Sequence, residues 1–416
     1  MRVEDLKLGM HVGKLDKKWA DSSFLFQGFP IEDKKQLEQL RRECRYVYVD
    51  FKTQEEYDVF LLNTAKQQDE AGEIIPDIQL LDELPAAIKI FDEISKASKL
   101  IMRQAMLNSE IDLNLVEKCV ADGIKSLERY PEALLLTVNV KNKIHYTSEH
   151  SVRVSIISMA FALEIGMSYE QIFTLGVSAM LHDIGKGAIP HKILNKAGKL
   201  DKAEALIVKE HPKESFRILS KMKNISVHIK EVALSHHERE DGRGYPRNIP
   251  KDRVSRFAKL VSIVDVYDAI ISDRPYSEGR PSSHALKILD SGSGSKFAPN
   301  LITPFIKWIG IYPVGTLVEL KTGEVAIVLK NNLKKQLSPR VMIVTDENKK
   351  PGHQKVIDLS TMVIHSSGRP YKIGMSLKNR AFGINIRKYL DRENFDVPEW
   401  CKSQTSNNGS PFAKYL

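Results

Sequence analysis

The sequence predicts a mainly α-helical protein with a small β-rich, α+β domain at its N-terminal end and a small β appendage near its C-terminal end. Helical spacing of apolar residues dominates residues 84–309, whereas short alternating or β-branched runs lie on either side of this stretch. The chain has 416 residues, of which 42% are hydrophobic, and this is enough for more than one core.

The first predicted domain, residues 1–72, is β-rich. Its short runs MHVGKL, SSFLFQGF and YVYVDF are separated by turn residues, and one helix is predicted near residues 31–42. The segment lacks the repeated βα pattern and the acidic cluster of a phosphorylated receiver domain. Regulation by phosphotransfer within this chain is therefore not expected.

Residues 73–130 are predicted as a helical connector, because apolar residues such as Ile88, Phe91 and Ile94 recur at helical spacing. Such a stripe is more often part of a core than a seam between subunits. A homodimer formed through this stripe is the alternative interpretation.

The main helical domain is predicted over residues 131–312. Residues 313–373 follow as a β appendage, in which VGTLVELKTGEVAIVLK is expected to form two strands around a Thr-Gly turn. Residues 374–416 are predicted as a C-terminal tail, whose polar end is expected to be partly mobile.

Composition argues for a cytoplasmic protein. The three cysteines, Cys44, Cys119 and Cys401, are odd in number and form no CxxC pair, so a disulfide framework is not expected. The first ten residues lack the apolar core of a signal peptide, and no run approaches the roughly 18 apolar residues of a membrane span.

The net charge of +9, with a pI near 9.1, raises the question of a nucleic acid partner. Basic residues crowd residues 330–355, but aromatic residues are not interleaved with them and no nucleic-acid module is recognisable. A solvated loop is the favoured interpretation, and nucleic acid is not expected as a partner.

Seven histidine and aspartate residues carry the chemistry of the sequence. Four of them form two doublets, His182-Asp183 in LHDIGK and His236-His237 in SHHERED, and the other three are single residues. Each doublet ends an amphipathic helical pattern just before a loop. The candidate metal ligands are His150, His182, Asp183, His211, His236, His237 and Asp265. A lone histidine on an apolar helix is usually a core residue, but two doublets placed in this way are hard to explain by packing.

Imidazole and carboxylate ligands suit first-row transition metals, and a carboxylate can bridge two ions about 3.5–4 Å apart. The set predicts a pair of divalent ions, with iron, manganese, cobalt and nickel all compatible. Such a pair activates water and neutralises a phosphoryl group, which indicates phosphodiester hydrolysis by a bridging hydroxide. Lys186, just beyond the first doublet, can supply positive charge where negative charge develops.

Residues 149–307 resemble the HD-GYP family of cyclic dinucleotide phosphodiesterases. The resemblance rests on HSVRVS, LHDIGKGAIP, KEHPKESF, HHEREDGRGYP, VDVYDAIISDRPY and GSGSKFAP, in the family's order and spacing. It implies a helical bundle of the HD type. The segment GMHVGKLDKKWADSSFLFQGFPI, followed by YVYVD, resembles a domain of unknown function that is commonly fused before HD-GYP domains.

The resemblance also implies roles for individual residues. His150, His182, Asp183 and Asp265 would hold one ion, and the catalytic Asp183 would bridge to a second ion. The second ion would be held by His211, His236 and His237. Lys186 would contact the scissile phosphate, and the other substrate-binding residues would be Gly244, Tyr245, Pro246 and Arg274.

Two positions depart from the family pattern. Tyr146 stands where some relatives carry an acidic residue that helps to bind a third ion, so a third ion is not expected. Ser277 stands where relatives often carry a second basic residue that grips the phosphates, and this departure leaves substrate affinity and substrate choice open.

The function predicted from the sequence is hydrolysis of cyclic di-GMP to linear pGpG, with further hydrolysis to GMP left open. Three alternatives remain: a phosphodiesterase for the cyclic GMP-AMP hybrid, a general HD-type nucleotidase or triphosphohydrolase, and a catalytically weak receptor for cyclic di-GMP. The doublet His236-His237 and the GYP loop, formed by Gly244, Tyr245 and Pro246, argue against the nucleotidase. The complete ligand set argues against the receptor.

Overall fold

The structure is a computed structural model. It describes residues 3, 6, 10–17, 22–24, 28–44, 46–50, 78–138, 146–194, 196, 198–272, 279–361, 363–378 and 380–390, without the side chains of residues 78, 79, 81, 146, 147 and 353. The chain divides into two compact units, Met1–Gly72 and Glu73–Leu416. Across the described residues, none of the helices combines the length and the apolar character that crossing a bilayer requires.

The first unit contains a three-stranded antiparallel sheet with the strand order β2-β1-β3. The strands are β1 (His11–Leu15), β2 (Phe29–Pro30) and β3 (Val47–Asp50). Helix α1 (Lys34–Glu43) follows β2 and is capped by Asp33, whose side chain accepts a hydrogen bond from the Gln36 backbone N–H. Among its described residues, the predicted run SSFLFQGF contributes only Phe29 to a strand.

The second unit consists mainly of helices packed around one core. Its helices before the first doublet are α2 (Ile78–Met106), α3 (Leu113–Arg129), α4 (Pro131–Val138), α5 (Tyr146–Glu164) and α6 (Tyr169–Leu181). Those after it are α7 (His191–Leu194), α8 (Lys202–Lys209), α9 (His211–Ser220), α10 (Val227–Ser235), α11 (Arg256–Ile271), α12 (Ser282–Ser291) and α13 (Pro299–Ile309). Short 3₁₀ turns occupy Ile184–Ala188 and Lys251–Arg253.

Helix α5 lies in the middle of this unit, because nearly every side chain from Ser148 to Ala162 is buried. A helix that is buried on all sides shows little amphipathic pattern, and its polar residues need partners inside the protein. The helices α2 and α3, from the segment predicted as a connector, contribute Ile94, Ile101 and Val120 to the same core.

The β appendage is a five-stranded antiparallel sheet with the order β7-β6-β5-β4-β8. Its strands are β4 (Leu317–Leu320), β5 (Val325–Lys330), β6 (Arg340–Thr345), β7 (Pro351–Asp358) and β8 (Ile373–Ser376). The predicted hairpin around Thr322-Gly323 is confirmed. Both faces of the sheet are buried, since Leu317 and Ile327 join the helical core while Val318 and Val328 join a second cluster.

After the sheet, a 3₁₀ turn (Ala381–Gly383) leads to the short helix α14 (Ile386–Tyr389). The predicted mobile end of the tail and Cys401 lie outside the described residues. Cys44 and Cys119 are buried free thiols, and burial raises the pKa of each to about 11.

Candidate metal centre

The second unit brings all seven predicted ligands together. Helices α6 and α10 both end directly before a doublet, and His211 is the first residue of α9. His150 lies in the first turns of α5, and Asp265 lies on α11. Helices that are distant in sequence therefore present their polar ends and faces to one buried site.

The ligand atoms form two groups: His150, His182 and Asp183 in one, and His211, His236 and His237 in the other. Within each group, one ligand atom from each residue lies within 4.8 Å of the others. Each group could hold one metal ion.

Asp183 faces both groups with different oxygens. Its Oδ2 lies 3.3 Å from His182 Nε2 and 3.6 Å from His150 Nε2. Its Oδ1 lies 3.1 Å from His211 Nε2 and 3.7 Å from His236 Nε2. This is the arrangement that a bridging carboxylate needs.

Asp265 also reaches both groups, although at longer range on one side. Its Oδ1 lies 2.9 Å from His150 Nε2, and its Oδ2 lies 3.8 Å from His237 Nδ1.

Backbone carbonyls determine which ring nitrogen carries the proton in three of the histidines. His182 Nδ1 lies 2.7 Å from the Ala179 carbonyl oxygen, and His211 Nδ1 lies 2.7 Å from that of Val208. His236 Nδ1 lies 3.0 Å from the Ala233 carbonyl oxygen. Because a carbonyl oxygen only accepts, each Nδ1 donates, and in a neutral ring the Nε2 lone pair is left for a ligand.

In the site, several buried nitrogen and oxygen atoms with lone pairs lie close together, and a bound cation would stabilise this arrangement. His211 Nε2 and His236 Nε2 lie only 3.2 Å apart, and both carry lone pairs if the rings are neutral. In addition, His182 Nε2 and Asp183 Oδ1 are buried and make no hydrogen bond within the described part of the chain. Buried lone pairs that face one another repel, so the donor set fits metal ions better than it fits an ion-free core.

Electrostatics favours the metal-binding protonation state of His236, His237 and Asp183. Burial lowers the pKa of His237 to about 3, and burial together with the neighbouring histidines holds the pKa of His236 well below its usual value. Burial opposes ionisation of Asp183, but the adjacent His182 ring and the Lys186 ammonium outweigh it and hold the pKa of this carboxyl well below its usual range. These two imidazoles are therefore neutral and the carboxyl is ionised at neutral pH.

Lys186 lies in the 3₁₀ turn after the doublet, and its Nζ donates to Asp183 Oδ2. The turn is held against α9, where the Gly185 backbone N–H donates to Ser215 Oγ at 2.8 Å. A Cβ at position 185 would lie 2.2 Å from the His211 carbonyl oxygen. Only glycine permits this approach, which brings the first doublet beside His211.

The GYP loop folds back onto the second doublet. A Cβ at Gly244 would lie 2.4 Å from Glu238 Cα and 2.6 Å from the His237 carbonyl oxygen, so this approach also requires glycine. The Tyr245 ring stacks on the His237 ring with centroids 4.6 Å apart, and Lys209 Nζ lies 5.5 Å from the centre of the Tyr245 ring. The Tyr245–Pro246 peptide bond is cis.

Asp268 and Arg153 are residues that the sequence reasoning missed. Asp268 Oδ2 lies 2.7 Å from His150 Nδ1, and the same carboxylate accepts from Arg153 Nε at 2.7 Å and Nη2 at 3.0 Å. A carboxylate held in this way orients the imidazole and its lone pair. Their spacing could have indicated them: Asp268 lies one helical turn after Asp265, and Arg153 lies one helical turn after His150, so each shares a helix face with a candidate ligand.

Arg274 and Ser277 lie outside the described residues, as does the side chain of Tyr146. The predicted phosphate grip and the departures at Ser277 and Tyr146 therefore stay predictions.

Comparison with known families agrees with this architecture. The HD domain family matches residues 136–301, a domain of unknown function (DUF3391) matches residues 1–116, and the KOW domain associated with HD domain matches residues 317–364. The expected N-terminal domain of unknown function is thus confirmed. The β appendage thus matches a separate domain family, the KOW domain, which was not identified from the sequence pattern.

Several characterised proteins are similar to this chain. Cyclic di-GMP phosphodiesterase PA4108 of Pseudomonas aeruginosa is 34% identical over 364 residues, which cover 86% of this chain and 88% of that protein. A cyclic di-GMP phosphodiesterase of Thermotoga maritima is 35% identical over 198 residues, 47% of this chain and 54% of that protein. The 3'3'-cGAMP-specific phosphodiesterase 3 of Vibrio cholerae is 33% identical over 174 residues, 42% of this chain and 38% of that protein.

The fold and the match over residues 136–301 define an HD-domain protein. With the long match to the Pseudomonas protein, they show that the chain belongs to the HD-GYP family of hydrolases.

Proposed function

We propose that this protein is a metal-dependent phosphodiesterase that opens cyclic di-GMP to linear pGpG. The observation that carries the metal dependence is the pair of Nε2 atoms of His211 and His236, 3.2 Å apart, each with its Nδ1 bonded to a carbonyl. The names of the relatives in Pseudomonas and Thermotoga support cyclic di-GMP as the substrate.

His150, His182, Asp183 and Asp265 would hold one divalent ion, and His211, His236 and His237 would hold the second with the other oxygen of Asp183. When bound, the ions supply the positive charge that lowers the pKa of water and neutralises the phosphoryl oxygens. Iron and manganese are the first metals to test, because histidine and carboxylate donors suit both.

The chain's own residues contribute positioning and charge. Asp268 holds the His150 ring by its Nδ1, so that Nε2 faces Asp265 and Asp183. Lys186 places a cation beside Asp183, where it would stabilise negative charge on the phosphate and on the leaving oxygen. The half-buried Tyr245 ring packs on the half-buried His237 ring, where it would limit the approach of the substrate.

The direct test is turnover by purified protein reconstituted without oxygen with iron or with manganese. Cyclic di-GMP, the cyclic GMP-AMP hybrid and a nucleoside triphosphate would be compared, and products followed by chromatography. We expect pGpG from cyclic di-GMP with either metal and no product after chelation. Cyclic di-GMP that binds without being hydrolysed in any metal state would instead establish the receptor alternative.

The second candidate is a phosphodiesterase for the cyclic GMP-AMP hybrid. It is favoured by the similarity to the Vibrio protein and by Ser277, which stands where a second basic residue is common. In the same assay, a higher kcat/KM for the hybrid than for cyclic di-GMP would establish it. If the pocket is shaped for the hybrid, Ser277→Arg should leave cyclic di-GMP binding unchanged or weaker, because the new arginine would clash or find no phosphate. If only a cation is missing, the variant should bind cyclic di-GMP more tightly through a charge-assisted contact.

A further inference from the structure

A cavity of about 190 Å³ lies in the second unit among α4, α5, α11, α13 and the end of β5. Its walls are mostly apolar, and they include Leu135, Ile157, Tyr267, Trp308 and Leu333. None of the seven candidate metal ligands lines it. We infer that this cavity is a binding site for a small, uncharged apolar molecule of about the size of an aromatic ring.

The volume and the walls define what the cavity can hold. An enclosed apolar cavity of about 150 Å³ takes up benzene, and this cavity, which opens to solvent beside Leu333, has space for a molecule of similar size. Tyr267 is almost fully buried, and its ring and that of Trp308 both pack against Phe305, with centroids 5.5 and 5.9 Å away. Two walls are therefore aromatic rings with fixed positions.

The charged groups at the cavity argue against an anionic ligand. Glu132, Glu164 and Lys330 are the ionisable lining residues besides Tyr267. Lys330 Nζ is already paired with Glu132 Oε1 at 3.3 Å and lies over the Tyr130 ring, which leaves the exposed Glu164 without a matching cation in the lining. A phosphate-bearing molecule such as the proposed substrate would gain no free positive charge here.

The cavity is separate from the metal centre but shares a helix with it. On α11, Tyr267 and Ile271 are four residues apart and both line the cavity. Asp265 lies two residues before Tyr267, which at 100° per residue places it on the other side of the helix, toward the histidines. An occupant of the cavity would thus contact the helix that carries Asp265 and Asp268.

Fluorobenzene is a suitable probe, because its binding to the full-length protein can be followed by fluorine NMR. We expect saturable binding to the wild type. Leu333→Trp should weaken it by about tenfold or more, since a larger side chain at the wall occupies the space. Leu337→Trp is the matched control, because Leu337 is exposed in the same loop and does not line the cavity. Its binding should equal that of the wild type.

A tryptophan at position 333 could turn outward, because Leu333 is 45% exposed. Leu135→Phe therefore fills the cavity from the α4 side, with the volume-conserving Leu135→Met as its control. The melting temperature of the wild type should rise with fluorobenzene, because a ligand that binds only the folded state stabilises it. Absence of saturable binding to the wild type would overturn the inference, as would unchanged binding in both filled variants or equal weakening by Leu337→Trp.

Discussion

At the scale of single residues, Asp183 is the side chain that lies between the two groups of imidazoles. Its two oxygens lie between 3.1 and 3.7 Å from the Nε2 atoms of four histidines. Lys186 donates to Asp183, whereas Asp268 contacts His150, and four substitutions test the roles proposed for these residues.

Asp183→Asn should remove metal from both groups, because the amide has no charge and presents an N–H where one oxygen stood. His150→Ala should weaken one group and leave the other. Metal content measured by mass spectrometry after reconstitution distinguishes the two variants. Equal metal content in the two would mean that Asp183 does not bridge.

Lys186→Ala should keep both metal ions and lose turnover by ~10²–10³, which is the usual cost of removing one group that stabilises developing charge. Lys192→Ala is the control, because Lys192 is exposed on the neighbouring helix α7. Metal content and kcat are the two measurements. Normal turnover in Lys186→Ala would take this residue out of the mechanism.

Asp268→Asn should lower metal affinity or turnover by about 10–100-fold, the usual cost of losing a group that orients a ligand. The amide keeps the shape but loses the charge that faces His150 and Arg153. Asp290→Asn on α12 serves as the surface control. If Asp268→Asn lowers only the melting temperature, while metal affinity and kcat match those of the control, the residue has no positioning role.

At the scale of elements, the site is formed where helices end. Helices α6 and α10 end before their doublets, and Gly185 and Gly244 allow the following backbone segments to approach His211 and His237. These two glycines are therefore as important to the geometry as the ligands that they bring together.

Gly244→Ala should displace the GYP loop, because the added methyl group would meet backbone atoms of Glu238 and Arg239 that cannot rotate away. We expect a loss of stability of about 1–3 kcal/mol, the usual cost of overpacking, together with reduced turnover. Gly374→Ala is the matched control, since its methyl group would meet nothing nearer than 3.4 Å. Thermal unfolding and kcat test the pair, and equal values for the two variants would contradict the requirement for close approach.

At the scale of the whole molecule, the chain consists of two compact units, and all seven candidate ligands lie in the second one, Glu73–Leu416. The five helices that carry these ligands or end directly before them, α5, α6, α9, α10 and α11, share one core cluster with α2, α3 and one face of the sheet. Metal binding should therefore be linked to the stability of the second unit.

Chelation should lower the melting temperature of the second unit and leave that of the first unit unchanged. A ligand at 100 times its Kd stabilises the folded state by about 2.7 kcal/mol for each site. Differential scanning calorimetry with and without chelator measures the change, and restoring manganese in excess should reverse it. A melting profile that is the same in both conditions would argue against structural coupling of the metal ions.

Much of this organisation could be predicted from the sequence. Helical spacing predicted α2, α6 and α10, and the two β-rich runs around Thr322-Gly323 predicted the hairpin, because local apolar periodicity determines which face of an element is buried. The doublets stand out in sequence for the same reason: each interrupts an apolar pattern at the point where a helix ends.

The sequence by itself determined the class of the fold, the family and the types of ligand, because each depends on local pattern or on motifs in a particular order. Only the tertiary structure decided which oxygen of Asp183 faces which histidines, that Asp268 holds His150, and that a cavity lies behind Tyr267. These features depend on contacts between residues more than a hundred positions apart, such as His150 and Asp268, or on space left between packed elements. The spacing of Asp268 from Asp265 does not identify His150 as its partner, since only the packing of α5 against α11 brings the two side chains within hydrogen-bonding distance.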